Sequence, residues 1–139
     1  MNTPEFILPI RVYIEDTDAG GIVYYVNYLK YLERARTELL RSLGYGKAAV
    51  LEKGSLLVVR RAEVDYLSAA YLDDELIATA TINKLARSYV AFHQEIRRDD
   101  QILCRAQIKI AYVSAQGKTM QPKVIPVAVR ESLASYLQK

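Results

Sequence analysis

YVAFHQEIRRDDQILCRAQIKIAYV, residues 89–113, reads as two long strands joined by a tight turn. Val90, Phe92 and Ile96 share one face with Gln94. Ile102, Cys104, Ala106, Ile108, Ile110 and Tyr112 form an unbroken apolar face, with Arg105, Gln107 and Lys109 on the other. That alternation is the two-residue period of a half-buried strand. Arg98-Asp99-Asp100-Gln101 supplies the hairpin between them. Two further runs of the same character lie upstream, Leu56 to Tyr66 and Asp74 to Asn83. No helix-length segment separates the four, so they read as successive antiparallel strands, and a parallel, βαβ-wound sheet is disfavoured.

Working outward, Leu29, Leu32, Ala35 or Arg36, Leu39, Leu40 and Leu43 recur at helical spacing, while Lys30, Glu33, Arg34, Thr37, Glu38 and Arg41 face elsewhere. The pattern predicts a helix of about four turns. Asn27 is placed to cap its start, and Gly44 stands where a left-handed residue would end it. Phe6 to Ile14 reads as a strand running into the turn-forming cluster Glu15-Asp16-Thr17-Asp18-Ala19-Gly20-Gly21, and Pro126 to Lys139 as a terminal helix. The order is that of an α+β protein. An apolar helix needs a cover, so the expected architecture is a curved antiparallel sheet wrapped around one long central helix, in a single domain over residues 1–139.

With 51% apolar and 25% charged residues the chain has the composition of a folded globular protein rather than a disordered one. Its charge of +3 is dispersed, which does not imply nucleic acid but suits an anionic small molecule. The single cysteine, Cys104, cannot form an internal disulfide, the first residues do not resemble a signal peptide, and no apolar run approaches the ~20 residues of a bilayer span. A cytoplasmic protein without an integral membrane segment is the expectation.

The segment most suggestive of chemistry is Glu15 to Tyr28, where acids and a glycine pair lead into a helix start. The first turn of a helix has free N–H groups and a partial positive charge, and glycine lets a ligand approach the main chain. Such a place polarises a carbonyl. A neighbouring carboxylate could then activate water as a general base, or attack the carbonyl and form a mixed anhydride that water cleaves. Equally, Asp16 and Asp18 could be turn and capping residues only. Asp16-Thr17-Asp18 lacks the ligand array of a calcium loop, and His93 has no partners at zinc-ligand spacing, so no metal is expected. Cys104, on an apolar strand face, reads as a buried thiol, and Glu33 as a solvated helical position or a second catalytic carboxylate.

Residues Arg11 to Tyr24, with Asn27-Tyr28 and Tyr31-Leu32-Glu33-Arg34-Ala35-Arg36, resemble the 4-hydroxybenzoyl-CoA thioesterase family, in particular its YbgC branch, and the likeness continues through Phe92 to Met120-Gln121-Pro122. The resemblance implies the hotdog fold and hydrolysis of acyl-CoA without a cofactor. It assigns Asp18 as the catalytic carboxylate and the backbone N–H of Tyr25 as the donor to the thioester carbonyl, at a position where many YbgC-type proteins carry histidine. Gly21, Tyr24 and Asn27 become substrate-binding positions, and Arg87, in the turn Lys84 to Ser88, becomes the first candidate for the CoA phosphates, ahead of Lys118 and Lys123. It also implies a homodimer or dimer of dimers with the acyl pocket between subunits. The alternative is a noncatalytic acyl-CoA-binding or scaffold protein associated with the Tol–Pal system.

Overall fold

The computed structural model describes residues 4–46, 52–115 and 119–138. Strand β1 (Phe6–Arg11) is followed by a 3-10 turn (Ile14–Asp16) and helix α1 (Val26–Ser42). Strands β2 (Ser55–Tyr66), β3 (Glu75–Leu85), β4 (Tyr89–Arg98) and β5 (Gln101–Ser114) come next, then the short β6 (Gln121–Pro122), helix α2 (Val127–Leu133) and a 3-10 turn (Ala134–Tyr136). All strand pairings are antiparallel, in the order β1-β3-β4-β5-β2 with β6 on β5, so β2 and β1 are edges. The antiparallel α+β arrangement expected from the alternation is therefore present.

Helix α1 packs against β1, β3 and β4. Tyr28, Tyr31, Leu32, Ala35, Leu39 and Leu40 are buried on the side that meets the sheet. Small residues make room for it: Ala78 and Ala80 of β3 stand opposite Leu8 and Phe6 of β1, and all four lie on the inner face. At the middle of that face Gln94 is fully buried, donating from Nε2 to the carbonyls of Leu32 (3.0 Å) and Thr79 (3.1 Å) and accepting at Oε1 from Nη1 of Arg36 (2.9 Å). A buried amide without partners would cost more than it stabilises, so this one pins α1 to one position over the sheet.

Several boundaries depart from the sequence expectation, each for a local reason. Strand β1 ends at Arg11, not Ile14, because its partner β3 begins at Glu75, opposite Arg11. One further pair, the Val12 N–H on the Asp74 carbonyl (3.0 Å), closes the ladder, and Tyr13 and Ile14 turn outward. Helix α1 starts at Val26 with Tyr25 as its N-terminal flanking residue and no side-chain cap. Asn27 lies inside the first turn, so its expected capping role is not realised. Gly44 does close the helix, at φ +100°. Helix α2 has seven residues rather than running from Pro126 to the C-terminus, because the tail returns to the sheet, where the Gln138 N–H donates to the Ile82 carbonyl (2.8 Å). Part of the expected connection Lys47 to Gly54 lies outside the described residues.

Strand β2 also contains a bulge between Val59 and Arg61 that a two-residue period cannot anticipate. Leu57 and Val59 pair with Tyr112 and Ile110 on the inner face, and after the bulge Ala62, Val64 and Tyr66 take over that face.

Leu39 is fully buried on the sheet side of α1. Leu39→Ala is expected to lower unfolding stability by about 2–5 kcal/mol, read as a fall in the urea midpoint with an unchanged m-value.

Candidate active site

The chain between β1 and α1 folds back on itself. The Asp18 N–H donates to the Ile22 carbonyl (3.0 Å), and the Gly21 N–H to the Asp18 carbonyl (3.1 Å), while Thr17 bridges to Val23. Gly21 adopts φ +78°, a conformation open to glycine at no steric cost. Within this turn the Gly20 N–H donates to Oδ1 of Asp18 (2.8 Å), and a Cβ on Gly20 would stand 3.3 Å from that oxygen. The side chain is thereby oriented, and Oδ2 has no hydrogen-bond donor among the described residues. Asp18 is exposed.

The turn is tied to the helix through one carbonyl. The oxygen of Asp16 accepts the Tyr24 N–H (2.9 Å) and Nδ2 of Asn27 (2.8 Å). Asn27 is buried, so its side chain fastens the helix start to the acidic turn instead of lining an open site. The Tyr25 N–H has no acceptor among the described residues, as expected of a helix N-terminus. The Asp16 carboxylate is engaged at one oxygen, Oδ2 accepting the Tyr13 N–H (2.9 Å), and Glu15 is exposed beside it, so what distinguishes Asp18 is its contact with Gly20 and its place before the glycine pair. Burial, reinforced by the charge of Asp16, pushes the pKa of the Tyr31 hydroxyl above its usual value.

An aromatic collar surrounds this corner. Tyr25 meets Tyr24 edge-on at 5.1 Å between ring centres and Tyr66 at 5.6 Å, and Tyr66 lies 5.7 Å from Tyr28. Tyr24, Tyr25 and Tyr66 are about half exposed. Strand β2 therefore runs alongside α1 in the opposite sense, Tyr66 near the helix start and Leu57 near its far half. Between that far half and the sheet is a partly open cavity of about 180 Å³. Its floor is the registered row Val59, Ile110 and Val90 with Leu57 and Phe92, and Arg36 and Glu33 line it from the helix. Neither Tyr66 nor the cavity was identified from sequence. The bulge concealed which β2 residues face inward, and Arg36 competed with Ala35 for the same helical stripe.

The remaining candidates fall elsewhere. Arg87 is exposed in the turn between β3 and β4, whose carbonyls at Leu85, Ala86 and Arg87 are gripped by the Arg130 guanidinium (3.3, 2.8 and 3.0 Å). Lys123 is already engaged, by Ser55 Oγ (2.8 Å) and Glu52 (3.6 Å), and Lys118 lies outside the described residues. His93 is on the outer face of β4 with Glu95 (3.2 Å) and Gln107 (2.6 Å). Cys104 is buried, and burial, with Asp65 nearby, pushes its thiol pKa up to about 12, which favours the neutral thiol. No helix among the described residues is long and apolar enough to cross a membrane.

Comparison with known proteins places the chain in a family. Residues 20–105 match the thioesterase superfamily. The chain is 41% identical over 126 residues to the acyl-CoA thioesterase YbgC of Haemophilus influenzae, covering 90% of this chain and 91% of that protein. It is 36% identical over 129 residues to the acyl-CoA thioester hydrolase YbgC of Escherichia coli, covering 93% and 96%. Its backbone superposes on the crystal structure of a hypothetical protein from Aquifex aeolicus with a TM-score of 0.83 at 32% identity, covering 92% and 98%. An antiparallel hotdog sheet carrying an acid-glycine turn at the start of its helix, together with these likenesses, makes the chain a member of the thioesterase superfamily, within its YbgC branch.

Proposed function

We propose that this protein hydrolyses acyl-CoA thioesters at the corner where the Asp18 turn meets the start of α1. The observation that supports it best is the combination, among the described residues, of an Asp18 oxygen without a donor and a helix-start N–H without an acceptor, joined by the Asp16 carbonyl. The Tyr25 N–H donates a hydrogen bond to the thioester carbonyl oxygen and stabilises the oxyanion as the carbon becomes tetrahedral, helped by the positive end of the helix dipole. The oxygen of Asp18 not held by Gly20 faces the reaction in one of two ways. As a base it takes a proton from water, whose oxygen adds to the carbonyl carbon. As a nucleophile it displaces CoA thiolate to give a mixed anhydride that water then opens. Either way the C–S bond breaks, a carboxylic acid and CoA are released, and Asp18 returns to its starting state. Gly21 leaves the main chain bare where the thioester approaches, Tyr24 and Tyr25 shield it from solvent, and Arg87 is the cation for the CoA phosphates, able to take them bidentately. None of these steps calls on a cofactor.

The side chain of Tyr25 has no proton-transfer part in this reading, since the donor is the main chain. Strand β2 presents an unpaired edge, and Tyr66, Leu67, Tyr71 and Leu72 are exposed near the site. A second copy covering them fits the family's expected dimer or dimer of dimers and would enclose the acyl group. The cytoplasm, where acyl-CoA is made and used, is the compartment this reading requires.

Asp18→Asn should reduce kcat/KM by about 10²–10⁴ with unchanged circular dichroism, measured as thiol release from acyl-CoAs. Equal rates in both proteins would return Asp18 to a turn residue. Tyr25→Phe should keep activity within a few-fold. Tyr25→Pro, which the backbone accommodates at φ −56°, removes the donor and should cost about 10²–10³ in kcat. Sedimentation equilibrium should find a dimer or larger at micromolar concentration, and a monomer would remove the enclosed pocket from the mechanism.

A further inference from the structure

Arg36 is an unusual occupant of the inner face. It is 9% exposed, forms no salt bridge among the described residues, and spends one of its five N–H donors on Gln94 Oε1, at 2.9 Å. The rest of the guanidinium borders the cavity whose floor is Val59, Ile110, Val90 and Phe92. Buried guanidinium groups are otherwise paired or saturated, because desolvating the charge is expensive. Burial here pulls the pKa of Arg36 down to about 10, with nearby Glu33 acting in the opposite direction, so the group remains a cation at neutral pH. Glu33 lies at the solvent side of the cavity and makes no hydrogen bond to it.

The cavity is aligned with the corner described above. Tyr25, Leu29, Arg36 and Leu40 lie along one stripe of α1 at helical spacing, and Tyr66, Val64, Ala62, Val59 and Leu57 follow the inner face of β2 beside it. Between the Tyr25–Tyr66 contact and the cavity Leu29 and Ala62 are exposed, and Glu33, between Leu29 and Arg36 on the same stripe, is the charged residue at the cavity's entrance. Arg36 reaches back toward the helix start, since Gln94 binds both its Nη1 and the Leu32 carbonyl. At the helical rise the guanidinium therefore lies about 11 Å along α1 from the Tyr25 N–H.

We propose that this cavity is a subsite for the far end of the acyl group, and that Arg36 selects acyl chains of medium length ending in a carboxylate. The proposal rests on the thioesterase reading for the position of the thioester. The methylenes of such a chain lie along Leu29 and Val59, and the terminal carboxylate takes the unused donors of Arg36 in exchange for water. Glu33, the competing carboxylate at the cavity's open side, limits the affinity.

The test compares suberyl-CoA with octanoyl-CoA, chains of equal length with and without the terminal carboxylate. In the wild type suberyl-CoA is expected to have at least a tenfold lower KM. Arg36→Met, which removes the charge at similar volume, should abolish that difference without raising KM for octanoyl-CoA, and Glu33→Gln should widen it. Equal KM values in the wild type, or a parallel loss for both substrates in Arg36→Met, would overturn the subsite. Should Arg36→Met fail to fold, Val59→Phe fills the cavity from the sheet and is expected to erase the preference while acetyl-CoA is still hydrolysed; a retained preference overturns it. Titration calorimetry with free suberate separates the two readings. If no thioester is turned over but suberate binds the wild type and not the variant, the hydrolase reading falls and the subsite stands; if suberate does not bind either, the subsite falls.

Discussion

The carbonyl oxygen of Asp16 is the point at which the acidic turn is joined directly to the start of helix α1. It accepts one hydrogen bond from the main chain of Tyr24 and one from the side chain of Asn27, so both of its lone pairs are used where the acidic turn meets the helix. Without it the turn would reach α1 indirectly, through the Val23 N–H on the Ala70 carbonyl (2.8 Å) and the Ala70 N–H on the Tyr28 hydroxyl (2.9 Å). The carboxylate of Asp18 would then be less narrowly placed relative to the helix start. Because the tie is buried at Asn27, water competes poorly for it, and the geometry is set before any ligand arrives.

Gln94 plays the corresponding part inside the sheet. Three of its hydrogen bonds join α1, β3 and Arg36, and they fix the height of the helix above the inner face. The alanines opposite Leu8 and Phe6 let the helix sit close on the β1 and β3 side. On the β2 side contact is looser, and a cavity remains. The asymmetry is what a protein needs if one flank of its helix is to bear load and the other is to receive a substrate.

Much of this was readable from residues alone, for physical reasons that also explain the failures. The strands β4 and β5 declared themselves because apolar residues recur at every second position along most of each, although Glu95, Leu103, Ala111 and Val113 are buried as well, and α1 because a helix on a sheet must keep its apolar stripe. Asp18 and the glycine pair were identifiable by their position before that helix. Asn27 was misread because an amide at a helix start most often caps its own helix, whereas here it reaches across eleven residues to a carbonyl outside it. The end of β1 depended on where β3 begins, and the fate of the C-terminal tail on Ile82, neither of which is local information. The cavity was invisible because α1, β2, β4, β5 and α2 all contribute to it, and one of them changes face partway along.

That change of face means that the wall of the cavity is held by a count of residues and not by their type alone. In strand β2 the extra residue at the bulge keeps Val59 and Ala62 on the same side, where an unbroken period over the same residues would present Arg61 to the helix. Pulling the bulge straight without removing a residue would put a guanidinium where an aliphatic wall now stands, whereas deleting the extra residue would leave Val59 and Ala62 facing inward. The polarity of this flank thus hangs on one irregularity in an edge strand, apart from the acidic turn and its helix.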